Sequence, residues 1–179
     1  MKKSLVVMIP LAAALTACGG GGGDAPKNKA AEKASALQPG QYEVTSEVTN
    51  FRASDDGPPK INTPQGTSAT RSVCVADGAA PPPNLVADEG FDCQDSSPPI
   101  FRGGTLSVSL TCRRPGLQGD VGYTVNGSFQ ADSFEAERQL VSRFPGMGDV
   151  IIASTVRGRR TGECSAATAG NAQGNATKK

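Results

Sequence analysis

The most regular pattern along the chain is a strict alternation of apolar and polar residues over Thr105–Cys112. A period of two is typical of a β-strand with one buried face. The preceding pair Gly103–Gly104 can adopt positive φ at both residues, which a tight hairpin turn requires. Folding the chain back at this pair places Cys93 almost opposite Cys112, on the apolar face. The pattern therefore predicts a disulfide-linked antiparallel hairpin.

Similar alternation, or a run rich in β-branched residues, recurs elsewhere and predicts further strands. These strands cover residues 42–49, Thr67–Val75, 121–130, Phe134–Arg143 and Val150–Arg159. Turn signals separate most of them at intervals of about 8–12 residues, which favours a meander. We therefore expect an all-β fold, an antiparallel meander forming a twisted sheet or open barrel with two disulfides.

The connections carry fewer signals than the strands. Asn50 to Gln65 is rich in Asp, Pro and Gly and predicts a long exposed loop. Pro81–Pro83 favours an extended linker, and a short helix between Asn84 and Glu89 is compatible with the sequence.

The N-terminus has the pattern of an export signal. Residues 1–17 are basic, then apolar, and end in small residues, and they are too short to span a bilayer as a helix. Leu15-Thr16-Ala17-Cys18 resembles a bacterial lipobox, which implies that Cys18 is lipidated; an ordinary signal with a stray cysteine is the alternative. Gly19 in the next position implies forwarding to the outer membrane. Acylation would anchor the chain without a transmembrane segment.

These features divide the chain into four parts: a signal peptide (1–17), a lipidated Gly-rich flexible tether (18–36), a single β domain (37–164) and a disordered small-residue tail (165–179). The glycines of the tether do not form a phosphate-binding loop, because no strand precedes them and no Gly-Lys-Ser/Thr follows.

Four cysteines remain in the β domain once Cys18 is set aside, and three pairings are open. Hairpin geometry favours Cys93–Cys112, which leaves Cys74–Cys164. A zinc site is disfavoured because the chain has no histidine and no Cys-x-x-Cys pair.

Charge and residue types exclude several function classes. The chain has 18 Lys and Arg against 17 Asp and Glu, so it lacks the basic surface that nucleic-acid binding requires. Without histidine, Ser-His-Asp and Cys-His catalysis are excluded. The acidic residues Asp88, Glu89, Asp92 and Asp95 favour a solvated edge over a carboxylate pair or a calcium loop. We expect neither an enzyme nor a bound cofactor or metal.

Two terminal motifs point to a family. Pro39-Gly40-Gln41-Tyr42-Glu43-Val44 resembles the opening, and Arg159-Arg160-Thr161-Gly162-Glu163-Cys164 the close, of the bacterial domain-of-unknown-function family 3617. Tyr42 departs from the family in replacing a common tryptophan, and the loop after the first strand also differs. The resemblance implies an exported proteobacterial domain, often lipidated, with no established activity.

Five arginines are candidates for an anion or partner patch, but surface arginines paired with nearby Glu and Asp are the favoured interpretation. They are Arg113, Arg114, Arg157, Arg159 and Arg160. The aromatic side chains predict a core, although a half-open barrel could leave an apolar cavity among them.

Two functions remain for the β domain. The first is a non-catalytic binding module for a small apolar or lipid-like ligand. The alternative is a structural or interaction domain of the cell envelope that contacts a protein or polymer. In both cases we expect a monomer, lipid-anchored at the periplasmic face of the outer membrane.

Overall fold

The computed structural model describes residues 34–78 and 80–165, which form one antiparallel sheet. Its strands are β1 (Gly40–Ala53), β2 (Ser68–Val75), β3 (Asp92–Asp95), β4 (Ile100–Arg102), β5 (Thr105–Arg113), β6 (Asp120–Phe129), β7 (Ser133–Arg143) and β8 (Val150–Gly162). The order across the sheet is β2-β1-β8-β7-β6-β5-β3, and β4 also pairs with β5. Because β3 and β4 share one edge of β5, eight strands occupy seven positions of a curled half-barrel. The predicted all-β antiparallel fold is confirmed.

The strands from β5 to β8 form a meander in which each pairs with the next. The last strand, β8, pairs on its other side with β1, which places it between β1 and β7. The hairpin between β4 and β5 turns at Gly103–Gly104, where both residues have positive φ. In the β3–β5 pair, Cys93 lies directly opposite Cys112. The glycine pair and the alternation of β5 thus set the register that the sequence predicted.

One face of the sheet carries the core. Burial alternates along the strands, as the period of two predicts, so that apolar side chains point to the concave face. The largest of the fully buried side chains are Tyr42, Tyr123, Leu85, Leu106 and Leu110. Removal of this apolar surface from water stabilises the sheet.

The connection between β2 and β3 packs against this concave face. Leu85, Val86 and Ala87 are each at most 1% exposed, and Pro83–Leu85 forms a single 3-10 turn. We call residues 83–88 the covering segment. The short helix expected between Asn84 and Glu89 is therefore reduced to one turn that starts earlier. Three of its carbonyl groups accept hydrogen bonds from arginine side chains, so they are not used to extend a helix.

The loop after β1 differs from its prediction. β1 continues to Ala53, and Gly57 and Ile61 are buried, so the region 50–65 is not one exposed loop. Backbone N–H groups of Asp149, Gly148 and Gly57 donate to the Asp55 carboxylate at 2.8–2.9 Å. These bonds lower the pKa of Asp55 and attach the loop to the β7–β8 turn.

Two disulfides are present, Cys74–Cys164 and Cys93–Cys112, the pairing that the hairpin geometry favoured. Cys74 and Cys93 stand on either side of the β2–β3 connection. Both ends of the connection are thereby attached covalently near strands of the sheet.

Several expectations concern residues that lie outside the described part of the chain. They are the signal peptide 1–17, the lipidation site Cys18, the tether up to residue 33, and the tail from residue 166. Over 34–78 and 80–165, no helix has the length and apolar character needed to cross a membrane.

Candidate functional site

A cavity of about 240 Å³ lies in the concave face. Its floor comes from inward residues of β1, β7 and β8, and its sides from the β1–β2 loop, β2 and the end of the covering segment. The apolar side chains lining it are Val48, Ile61, Ala69, Phe91, Leu140 and Ile152. An apolar concave cavity with a few polar groups is the usual form of a small-molecule site. This cavity is slightly smaller than the range of about 300–1,000 Å³ typical for such sites.

Arg138 is the buried charge at this site. It occupies an inward position of β7 between Ala136 and Leu140, and its side chain is 3% exposed. Its Nη1 lies 2.7 Å from Oδ1 of Asp88 and donates to the Val86 carbonyl at 2.9 Å. Its Nη2 donates to Ser154 Oγ at 3.3 Å. A strand of the sheet thus holds the covering segment by a charge-assisted bond and a backbone bond.

Tyr123 supports the same carboxylate from β6. Its hydroxyl donates to Oδ2 of Asp88 at 3.2 Å, and its ring centroid lies 5.4 Å from the guanidinium of Arg138. Phe91 packs edge-to-face on the Tyr123 ring at 6.0 Å between centroids. Burial, together with the negative charge of Asp88, raises the pKa of Tyr123 well above its ordinary value. The phenol therefore remains a neutral hydrogen-bond donor.

Arg71 holds the covering segment from β2. Its Nε donates to the Asn84 carbonyl at 3.1 Å and its Nη2 to the Leu85 carbonyl at 3.2 Å. Burial, and then repulsion from Arg138, lowers the pKa of Arg71. A guanidinium remains protonated in proteins even so, and both arginines therefore carry charge beneath the covering segment.

The predicted acidic group does not gather at one point. Asp88 faces inward to Arg138, whereas Asp92 and Asp95 are exposed on the edge strand β3. Within the described ranges, no group of three acidic, cysteine or histidine residues is placed to hold a metal ion.

The structure does not bring the five candidate patch arginines together, and two of them form the surface ion pairs that the sequence favoured. Arg113 is the last residue of β5 and Arg114 follows it, at the end of the sheet where β8 begins, because the strands of the meander alternate in direction. The other three lie toward the opposite end of β8, where two are paired: Arg157 with Glu135 at 2.9 Å, and Arg160 with Glu163 and the Pro39 carbonyl. Arg159 is exposed in the same strand. Of the five, only Arg114 lines the cavity.

Arg71 and Arg138 are the site residues that the sequence analysis missed, although a signal for them exists. Arg138 has the same parity as Phe134, Ala136 and Leu140 in β7, and Arg71 has the parity of the buried Val73 in β2. A charged residue in an inward position of an alternating strand must be paired or must line a cavity. Both arginines meet this condition.

The comparisons with known proteins identify the family but no individual relative. A family model described as "Protein of unknown function (DUF3617)" matches residues 37–164, the span of the β domain. No curated protein and no solved structure matches the chain. Since the matched residues make up more than half of the chain, the protein belongs to the DUF3617 family.

Proposed function

We propose that the β domain is a non-catalytic binding module that takes a small apolar or lipid-like ligand into the cavity of its concave face. The observation that carries the proposal is the cavity of about 240 Å³. The cavity opens to solvent beside the exposed Thr67, Ala69 and Thr70, and the buried Val48, Leu140 and Ile152 form its floor, so it is a concave surface site. At about 30 Å³ per water-sized group, this cavity has room for about eight such groups. A filled core would instead have favoured the alternative, a structural or interaction domain of the envelope.

The expected affinity is modest. Burial of about eight methylene-sized groups at about 0.8 kcal/mol each gives about 6 kcal/mol before the costs of association are subtracted. This gain corresponds at best to a dissociation constant of some tens of micromolar. The binding assay must therefore detect weak ligands, as calorimetry and NMR titration do.

The test is titration of the full chain, with both disulfides formed, with 1-octanol. The variant Ile61→Phe places extra volume in the cavity wall, and Ile100→Phe makes the same change at an exposed position on β4. We expect the Ile61→Phe variant to lose most of the binding and the Ile100→Phe variant to retain it. Equal octanol binding by the two variants would contradict the proposal.

We further propose that the chain is a lipoprotein of the cell envelope, anchored through Cys18 at the periplasmic face of the outer membrane. The support is the sequence Leu15-Thr16-Ala17-Cys18 after a basic and apolar start. Intact-mass spectrometry of protein purified from membranes should show acyl chains that the Cys18→Ser variant lacks. An unmodified Cys18 in membrane-purified protein would refute the anchor.

A further inference from the structure

The polar side chains that line the cavity leave an excess of positive charge. Three arginines, Arg71, Arg114 and Arg138, face two carboxylates, Asp88 and Glu89. The net charge of the lining is therefore +1. Arg138 is close enough to Arg71 to lower the pKa of the Arg71 guanidinium, and Arg138 is in ion-pair contact with Asp88.

Arg138 also has an unused donor. Its Nη atoms bind Asp88, Val86 and Ser154, but its Nε is buried and has no hydrogen-bond partner among the described residues. A buried donor without a partner is costly, and more so when it belongs to a charged group. Native structures keep few such groups, and those they keep require an explanation. Because the Nε has less than 1 Å² of accessible surface, a ligand in the cavity does not contact it directly; the unused donor instead leaves the guanidinium of Arg138 incompletely satisfied beside the cavity.

We propose that the ligand of the cavity is a small apolar molecule carrying one carboxylate, held beside Arg71 and Arg138. This inference rests on the proposed binding function and specifies its ligand class. A single carboxylate neutralises the net charge of the lining, and its planar oxygens match the donor geometry of a guanidinium. The apolar part of the ligand lies against Val48, Leu140 and Ile152. A phosphate monoester, with a charge of about −1.5 to −2, would overcompensate the lining.

The experiment compares ligands that share one chain and differ in head group. Octanoate, 1-octanol, octylammonium and octyl phosphate are titrated into the full chain at neutral pH with both disulfides formed. We expect octanoate to bind about ten-fold or more tightly than octanol, the range of a hydrogen bond to a charged group. Octylammonium should bind more weakly than octanol, and octyl phosphate more weakly than octanoate.

Variants locate the head group. Arg71→Gln should reduce the preference for octanoate over octanol to about two-fold or less, because it removes the charge excess. Arg157→Gln makes the same chemical change outside the cavity, at an exposed residue paired with Glu135, and should leave the preference unchanged. If Arg71→Gln fails to fold, the salt dependence of the wild type replaces it: added salt should weaken octanoate binding and leave octanol binding nearly constant.

The outcomes separate the two proposals. If none of the four ligands binds, the binding function itself fails. If octanol binds as tightly as octanoate, the binding function stands and the carboxylate inference is overturned. Tighter binding of octyl phosphate, or an equal loss of preference in the Arg71→Gln and Arg157→Gln variants, would also overturn it.

Discussion

The ion pair between Arg138 and Asp88 gives a sharp test of how the covering segment is held. Asp88→Asn keeps the shape of the side chain and removes its charge. Arg138, at 3% exposure, then loses its carboxylate and cannot recover the loss from water. A second variant, Asp120→Asn, makes the same change in the pair with Arg143. The two aspartates are 35% and 32% exposed, but Arg143 is 56% exposed, so the main difference between the pairs is the burial of the arginine. Asp88 also accepts a hydrogen bond from Tyr123, which the amide oxygen of Asn can still accept.

The magnitudes differ accordingly. Removing one partner of a fully buried pair costs about 3–5 kcal/mol. Because water reaches part of Asp88, we expect a loss of about 2–3 kcal/mol in the free energy of unfolding. For the exposed pair, the expected loss is about 0–1 kcal/mol. The difference, about 2 kcal/mol, is roughly a 30-fold change in the folding equilibrium.

Urea unfolding at neutral pH, with both disulfides intact, measures both variants. Equal m-values would show that the two variants expose the same surface on unfolding, so that the midpoints report stability alone. Added salt should reduce the effect of Asp120→Asn more than that of Asp88→Asn. Losses within about 0.5 kcal/mol of each other, near the additivity error of such comparisons, would refute the argument that the buried arginine depends on Asp88.

Three further predictions concern the sheet and its loops. Gly158→Ala should lower the free energy of unfolding by about 1–3 kcal/mol, because a Cβ there would overlap the ring of Phe134 on the neighbouring strand. Thermal unfolding measures the loss, and an unchanged midpoint would contradict the close packing of Phe134 on Gly158. Because its pKa is lowered in the folded state, the ionised Asp55 carboxylate stabilises the fold above about pH 4. This stabilisation is lost as the pH falls through the folded-state pKa and the carboxylate is protonated. Asp55→Asn should therefore flatten the acid side of the stability profile, and a similar effect of Asp56→Asn would count against this assignment. Replacing both cysteines of a disulfide by alanine should lower the free energy of unfolding by about 3 kcal/mol for Cys93–Cys112, which spans 19 residues, and by about 4–5 kcal/mol for Cys74–Cys164, which spans 90. Urea unfolding measures both losses, and the reverse order would contradict the loop-entropy account.

Much of the sheet could be predicted from the sequence because its strands and turns are determined by residues close together in the chain. The alternation in β5 and the glycine pair before it determine a hairpin within some twenty residues, and the facing positions of Cys93 and Cys112 follow from that register. The bounds of β7 were likewise predicted to within one residue, because a polar bend precedes it and a loop containing Pro145 and Gly146 follows it.

The cavity could not be predicted in the same way, because it depends on contacts between residues distant in sequence. The run Leu85-Val86-Ala87 is too short to reveal what it packs against, and its position depends on Arg71, fourteen residues away, and on Arg138, some fifty residues away. The arginine patch failed for a related reason. The five arginines were grouped because they lie in or next to two strands, without regard to the direction of those strands. Strand direction places Arg113 and Arg157 toward opposite ends of the sheet.

The position of the last strand has a consequence for how the chain acquires its structure. Since β8 lies between β1 and β7, the hairpin of β1 with β2 and the meander of β5 to β7 are separate sheets until the C-terminal strand arrives. Pairing the first strand with the last also gives a high contact order, which slows folding. A chain that emerges N-terminus first therefore holds two incomplete sheets with open edges until β8 has emerged. Any truncation that removes β8 leaves both sheets without their shared neighbour.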